Sequence, residues 1–197
     1  EVTGPMTKWA EMVPSAERLP EMMRRALRHC FTGRPGVVHL DVPESILNGP
    51  GPWTPEQLGA PNTYRVTEPM TPASAQVAAA ARILAEAKRP MIHVGTGVVH
   101  GQASASLMAL SRYMDAPITT SWGARCAVDE RDDRVVSMVY VDAVKQASNK
   151  ADVVLVVGAR LGETDWWGKA PYWASPEDQR IIQVDIDPNT LGDVRAA

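Results

Sequence analysis

The sequence predicts an α/β protein: a doubly wound parallel sheet covered by helices, preceded by a smaller unit with one helix and one strand. Two observations support this prediction. From residue 73 onwards, short apolar runs alternate with longer segments of helical periodicity, and this order builds a parallel sheet covered on both faces. Before this region, residues 48–72 are rich in proline and glycine and divide the chain into two parts.

The composition is that of a globular protein with a sizeable core. Hydrophobic residues make up 45% of the 197 residues, charged residues make up 22%, and the formal net charge is −3. This balance argues against a nucleic-acid surface, which would be basic, and no window approaches the ~20 apolar residues of a membrane span. Cys30 and Cys126 lack the spacing of a disulfide framework or a metal site, so we expect no metal ligands and a cytoplasmic location.

The first region, residues 1–47, is predicted to hold one helix and one strand. Ser15 can cap a helix that runs to about Phe31, and a strand from Val37 to Leu40 is closed by Pro43. Three residues at helical spacing are expected to form the buried stripe of this helix: Met23, Leu27 and Cys30. One helix and one strand cannot bury their apolar faces alone, so we expect this unit to dock on strands outside the chain.

The second and third regions are a linker and a larger domain. Residues 48–72 contain six prolines and three glycines, which predicts a semi-rigid, mostly extended linker. Thr71-Pro72 is then expected to begin a helix that Pro90 ends. Its expected buried residues are Val77, Ala81 and Leu84. Residues 73–197 are predicted to contain strands over Met91–Gly95, Pro117–Trp122, Asp152–Val157 and Ile181–Ile186, and helices over Gln102–Met114, Val141–Ala151 and Thr190–Val194.

Ligands of a doubly wound sheet bind beyond the carboxyl ends of its strands, and each predicted strand here is followed by residues suited to such contacts. The four groups are Gly95-Thr96-Gly97, Thr120-Ser121-Trp122, Gly158-Ala159-Arg160 and Asp185-Ile186-Asp187. Glycines let a backbone approach a phosphate, a guanidinium can clamp a diphosphate, and a carboxylate can accept from ribose hydroxyls. Each group also has a structural interpretation: a tight turn, a strand end covered by tryptophan, a surface ion pair of Arg160 with Glu163 or Asp165, and a helix cap.

The joint order of these groups resembles the thiamine-diphosphate-dependent enzymes, and most closely the acetolactate synthase group. Between Gly33 and Pro43, a Gly/Pro turn ends a helix and a short β-branched run stops at proline, which is similar to the end of that family's pyrimidine-binding domain. Residues 73–197 resemble its central, nucleotide-fold domain, and residues 48–72 resemble the linker between the two. The resemblance therefore implies that residues 1–47 are the C-terminal remnant of a pyrimidine-binding domain.

In the flavin-containing members of this family the central domain holds the adenine half of FAD, in some members it holds ADP, and in many it holds no nucleotide. The resemblance implies a nucleotide site formed by Gly95, Thr96, Gly97, Thr120, Ser121, Trp122, Gly158, Ala159, Arg160, Asp185 and Ile186. The flavin enzymes carry an acidic pair and another arginine soon after the position of Arg160, whereas this chain departs from that pattern between Leu161 and Lys169. FAD, ADP and no ligand therefore all stay open.

The chemistry of this family needs residues outside the part that this sequence resembles. An early glutamate of the pyrimidine-binding domain activates thiamine diphosphate, and a Gly-Asp-Gly motif followed by asparagine holds Mg²⁺ and the diphosphate. This sequence contains no Gly-Asp-Gly motif, so we expect no catalytic or metal-binding residue in it and no activity of the chain alone. The resemblance implies a parent lyase or transferase that decarboxylates a 2-keto acid and passes the carbanion to an acceptor. The missing pyrimidine and diphosphate domains are then its partners, and the assembly is expected to be a homo-oligomer.

Two rival interpretations stay open beside this one. A stand-alone nucleotide-binding module or NAD-type oxidoreductase domain would need tight binding by the turn at Gly95–Gly97, which lacks the third glycine of the dinucleotide fingerprint. A purely structural domain would space the catalytic domains and supply subunit contacts. The segment Trp166–Trp173 packs three tryptophans and one tyrosine into eight residues, and it is interpreted as a lid, a subunit contact, a cover for the linker or part of the core. His93 lies inside an apolar strand and is expected to be a core residue with a hydrogen-bond partner.

Overall fold

The computed structural model describes residues 2–196, which divide after Thr71 into two compact units. The first unit contains two strands and two helices: β1 (Trp9–Met12), α1 (Leu19–Phe31), β2 (Val38–Asp41) and α2 (Glu44–Leu47). β1 pairs in parallel with β2, so that Trp9 lies opposite Val38. The predicted helix and strand are therefore present, and β2 is displaced by one residue from its predicted position.

Strand β1 is absent from the sequence-based prediction. Its four residues carry only one side chain that is not exposed, so no alternation of apolar and polar residues marks it as a half-buried strand. The next residue, Val13, is fully buried, and its backbone amide donates to the Asp41 carbonyl (2.8 Å) at the end of β2. Pairing with a distant strand, rather than local propensity, defines this element.

Helix α1 ends at Phe31 as predicted, but the prediction of its buried face is wrong by one position. Met22 and Ala26 are buried. The predicted stripe is exposed or partly buried: Met23, Leu27 and Cys30. Adjacent methionines at 22 and 23 give helical spacing in two phases, and only packing against the two strands selects one of them.

The proline-rich segment is more ordered than the predicted extended linker. It forms two 3-10 turns, Pro55–Leu58 and Pro61–Thr63, and the first is closed by a capping box between Thr54 and Gln57. Arg28 of α1 donates to the Tyr64 carbonyl (2.6 Å), and the Tyr64 side chain is buried. Proline favours the first position of such turns, so a composition that suggests extension also supports local folding here. Its role as a linker between domains stays a prediction.

The second unit alternates helices and strands. Its elements are α3 (Ser74–Glu86), β3 (Pro90–Val94), α4 (Gly97–His100), α5 (Ser104–Met114), β4 (Ile118–Thr120), β5 (Val135–Val136), α6 (Val141–Lys150), β6 (Val153–Val157) and β7 (Arg180–Val184). All five strands are parallel and lie in the order β5-β4-β3-β6-β7. The predicted doubly wound sheet is therefore confirmed.

Each face of this sheet carries its own core. On one face, Leu84 of α3 and Leu107 of α5 pack against Ile92, Ile118 and Leu155. On the other face, Ala147 of α6 packs with a second set of residues: Met91, Val154, Val156, Trp173 and Ile181. The strands are near-continuous runs of apolar residues because both faces are covered.

Several other element boundaries in the two units differ from the predictions. Ser15 makes no side-chain cap and precedes a 3-10 turn that leads into α1. Helix α3 begins at Ser74 rather than at Thr71-Pro72. In its predicted buried stripe Val77 (51% exposed) and Ala81 are exposed, and Leu84 is partly buried. The predicted helix at Thr190–Val194 is wrong, because the chain there forms only a 3-10 turn over Pro188–Thr190. The two-residue strand β5 was too short to leave a sequence pattern.

Candidate functional site

The topological switch point lies between β3 and β6, because β4 and β5 continue the sheet on one side and β7 on the other. Ligands of open α/β sheets bind at this place. The turns that follow β3 and β6 are joined directly: the Gly95 amide donates to the Val157 carbonyl (2.9 Å), and the Gly97 amide donates to the Gly158 carbonyl (3.1 Å). The predicted glycines therefore meet each other at the expected edge of the sheet.

Glycine is required at these turns because two backbones touch there. A Cβ on Gly97 would lie 2.6 Å from the Gly158 Cα, and a Cβ on Gly95 would overlap the Gly158 carbonyl. Gly158 itself has a φ of +61°, which other residues rarely adopt. The space that the missing side chains leave is filled by the opposite turn, so these glycines have a packing reason that the sequence interpretation did not include.

The turn after β4 joins the same edge. The Ser121 amide donates to the Val94 carbonyl (2.8 Å), and a Cβ on Gly123 would lie 2.9 Å from the Thr96 methyl group. Thr96 and Trp122 are exposed at this edge. Thr120 is fully buried, and its hydroxyl has no partner among the described residues.

Arg160 is the exposed cation of the site. Within residues 2–196 no carboxylate lies within ion-pair distance of its guanidinium, and the surface pair with Glu163 or Asp165 that the sequence left open is not formed. Its neighbour Ala159 is buried, and the Ala159 carbonyl accepts from the Gln183 side chain (3.1 Å). The backbone is therefore held while the Arg160 side chain stays available.

The turn after β7 uses its carboxylates locally. An oxygen of Asp185 accepts from the Asp187 amide (2.9 Å), and an oxygen of Asp187 accepts from the Asn189 amide (3.0 Å) at the start of the 3-10 turn. Ile186 is exposed between them. This geometry agrees with the capping interpretation. One Asp185 oxygen that would accept from a nucleotide already accepts from the Asp187 amide.

A buried polar cluster beneath the β6 turn was missed by sequence reasoning. His93 of β3 and Thr119 of β4 place Nδ1 and Oγ1 2.9 Å apart, and Nε2 lies 3.5 Å from an Asp165 oxygen. All three residues are buried, Trp173 donates its Nε1–H to the Asp165 carbonyl (3.0 Å), and the rings of Trp173 and His93 form a T-shaped pair. His93 is a core residue as expected, but only one of its ring nitrogens has a hydrogen-bond partner.

The aromatic segment after Arg160 contains unusual backbone conformations. Leu161, Trp166 and Trp167 have φ values of 53°, 52° and 52°, although bulky residues rarely adopt positive φ. Trp173 is buried, and Trp166 stacks on Tyr172 with ring centroids 4.4 Å apart. The segment is therefore part of the core at one end and surface at the other, and the density of aromatic residues in the sequence was the only signal for it.

The other features of the second unit lie away from the strand ends. A groove of about 550 Å³ runs along α6 and is lined by Lys145, Asn149 and Pro171 among others.

Within residues 2–196, no group of three or more His, Cys, Asp and Glu side chains is placed to hold a metal ion. None of the helices described has the length and apolar character needed to cross a bilayer.

Comparison with known proteins identifies the class of protein. Residues 77–197 match the family model described as the thiamine pyrophosphate enzyme, central domain. An acetolactate synthase of Mycobacterium leprae is 28% identical over 200 residues, which cover 100% of this chain and 31% of the relative. A probable 2-ketoarginine decarboxylase of Pseudomonas aeruginosa is 31% identical over 98% of this chain and 33% of its own length.

The fold also matches a solved structure. A thiamine diphosphate-dependent 4-hydroxybenzoylformate decarboxylase of Rhodococcus jostii aligns with a TM-score of 0.79 and 22% identity over 96% of this chain and 36% of that protein. The chain belongs to the thiamine pyrophosphate enzyme family and carries its central domain. It spans about a third of the length of the curated relatives that it matches.

Proposed function

We propose that this chain works as the central domain, with part of the preceding domain, of a thiamine-diphosphate-dependent enzyme that decarboxylates a 2-keto acid. The parent would transfer the resulting carbanion to an acceptor, as an acetolactate synthase does, or release an aldehyde. The observation that carries the proposal is the match of residues 77–197 to the family's central domain. The alignment with acetolactate synthases over the whole chain supports extending it to the first unit.

Thiamine diphosphate and Mg²⁺ do not fit the residues of this chain. The sequence has no Gly-Asp-Gly motif, and the described residues contain no group of three or more His, Cys, Asp and Glu side chains placed to hold a metal ion. We therefore derive no catalytic step from these side chains and propose that both groups are held by other domains of a longer protein.

The test compares the chain with a longer protein that contains it and matches the relatives over their full length. The longer protein is expected to release CO₂ from a 2-keto acid only when thiamine diphosphate and Mg²⁺ are both present. The 197-residue chain, assayed with pyruvate under the same conditions, is expected to show no turnover. Turnover by the chain alone would contradict the proposal.

A nucleotide site at the strand ends is the second part of the proposal. Arg160 supports it, because an exposed guanidinium without a carboxylate partner lies at the switch point, where it can bind a diphosphate bidentately. Thr96 is exposed at the adjacent turn and can donate its hydroxyl to the same anion. FAD and ADP both contain a diphosphate group, so Arg160 and Thr96 can bind either nucleotide.

The rival function is a spacer that binds no nucleotide. It is favoured by the interlocked glycines, which leave no cradle between the β3 and β6 turns, and by the local use of Asp185. The visible spectrum of the purified chain, followed by calorimetric titration with FAD and ADP, separates the two. A retained flavin or micromolar binding supports the nucleotide site, and the absence of both supports the spacer.

A further inference from the structure

We infer that Trp167 is a stacking platform for the ring of a nucleotide whose phosphates pair with Arg160; this inference rests on the nucleotide site proposed above. Trp167 is 46% exposed, and it has no aromatic partner among the described residues. The platform would take a flat heteroaromatic ring, such as adenine, on the exposed face of the indole.

The backbone strain at Trp167 is not accompanied by full burial or aromatic stacking of its own side chain. Leu161 and Trp166 share its positive φ, but Leu161 is fully buried and Trp166 stacks on Tyr172. Trp167 alone combines this conformation with an exposed ring. Strain of this kind persists only when the surroundings impose it, and it clusters at ligand-binding sites.

The surroundings that impose it are buried polar contacts on both sides of the residue. Before Trp167, the Asp165 carbonyl accepts from the buried Trp173 indole (3.0 Å). After it, the buried Arg195 guanidinium donates to the Gly168 carbonyl (2.8 Å) and to the Gln179 side chain (3.1 Å). Burial lowers the pKa of Arg195 from its ordinary value, while nearby Glu177 opposes this effect. These anchors fix the segment in the conformation that exposes the indole.

Arg160 and Trp167 both lie close to Gly162. The Trp167 amide donates to the Gly162 carbonyl (3.0 Å), and the Arg160 Nε lies 3.3 Å from the position that a Cβ of Gly162 would occupy. The guanidinium and the indole are therefore attached to one short, anchored loop at the carboxyl end of β6. A nucleotide has the matching chemistry, because a guanidinium pairs with phosphate and an indole stacks on a base.

The test measures the affinity of the 197-residue chain and its variants for ADP and for pyrophosphate. Pyrophosphate carries the phosphates without a ring. W167A is expected to weaken ADP binding by about tenfold, the effect of losing one stacked base, and to leave pyrophosphate binding unchanged. R160A is expected to weaken both ligands. W167F, which keeps an aromatic face, is expected to restore most of the ADP affinity.

The matched control is Y113A. Tyr113 is 89% exposed near the end of α5, which leads to the amino end of β4. It therefore lies at the edge of the sheet opposite the proposed site. Y113A is expected to bind ADP with the same affinity as the unsubstituted chain. If W167A binds ADP normally while R160A does not, the stacking inference is overturned and the nucleotide site stands. If the unsubstituted 197-residue chain binds neither ADP nor pyrophosphate, the nucleotide site and the inference both fail.

Discussion

The carboxyl ends of β6 and β7 are neighbours in the sheet, but the charged side chains that follow them differ in whether they have hydrogen-bond or ion-pair partners. After β7, Asp185 and Asp187 are engaged by the backbone amides of their own turn. After β6, Arg160 has no carboxylate partner within the described residues: Glu163 is exposed but makes no ion pair with it, and Asp165 is buried beside His93. A charged residue after a buried strand therefore indicates a ligand site only when its own loop does not use the charge.

The largest expected effect contrasts two glycines with positive φ: Gly158, directly after β6, and Gly192, beyond the 3-10 turn that follows β7. Gly158 and Gly192 have φ values of 61° and 71°, but a Cβ on Gly158 would lie 2.6 Å from Gly97, whereas a Cβ on Gly192 would meet no atom within 4 Å. Gly158→Ala is expected to lower the free energy of unfolding by about 3 kcal/mol or more, from overpacking and strain together. Gly192→Ala is expected to cost about 1 kcal/mol, from strain alone.

Urea denaturation of both variants checks this pair. Equal losses would show that the β3 and β6 turns can move apart at little cost. The interlocked arrangement of the switch point would then be wrong, and the comparison between the two strand ends would lose its structural basis.

A carboxylate at the start of β6 gives the pH-dependent prediction. Burial disfavours the charged form of Asp152, but the amides of Lys88 (2.8 Å) and Arg89 (2.9 Å) donate to it, and the net result is a pKa below its ordinary value. Asp152 therefore contributes stability that is present above the unfolded-state pKa of about 3.9 and is lost as the pH falls through the lower folded-state pKa.

Asp152→Asn tests this contribution. The variant is expected to be less stable at pH 7 by about 1.5–3 kcal/mol, the value of hydrogen bonds to a charged group, and to lose less stability than the parent chain on acidification. Unfolding midpoints measured from pH 7 to about pH 2, which covers the fall through the folded-state pKa, provide the check. Parallel curves for the two proteins would contradict the assignment.

Asp187 tests the local use of charge at the end of β7. Asp187→Ala removes the acceptor of the Asn189 amide and is expected to lower the free energy of unfolding by about 1 kcal/mol, the usual value of a cap. Asp187→Asn keeps an acceptor oxygen and is expected to lose less than half of that. Chemical denaturation of the two variants decides, and an equal loss would mean that the charge rather than the cap matters.

Trp167 gives the smallest expected effect, and its sign is the informative part. Trp167→Gly is expected to be more stable than Trp167→Ala by about 1 kcal/mol, because both variants lose the packing of the partly covered indole and only glycine adopts positive φ without strain. Trp173→Ala, in the buried half of the same segment, is expected to destabilise by about 3–5 kcal/mol. Thermal unfolding of the variants provides the comparison, and equal stability of Trp167→Gly and Trp167→Ala would argue against the strain.

The sequence predicts the second unit well because its information is local. The β-branched run over Val153–Val157 and the apolar run before Gly95 mark strands to within a residue or two, and the glycine turns mark their ends. The position of Arg160 at the edge of the sheet follows from that alternation alone.

What the sequence could not provide depends on distant contacts. The phase of α1 is selected by packing between two equally spaced sets of side chains, and β1 exists only because it pairs with β2. Asp165 is unavailable to Arg160 because it is buried against His93, and these two residues are 72 positions apart in the sequence. The positive φ of Trp167 follows from anchors at Trp173 and Arg195, which no local pattern reveals.

The most direct test of the account is a calorimetric titration of the 197-residue chain with ADP, repeated for Arg160→Ala and Arg180→Ala. Arg180 is an exposed arginine at the amino end of β7, on the opposite edge of the sheet, so it supplies a matched control. We predict micromolar binding that Arg160→Ala weakens by about 1.5–3 kcal/mol and that Arg180→Ala leaves unchanged. Equal affinity in all three proteins would remove Arg160 from any site, and no heat with the parent chain would make the central domain a spacer.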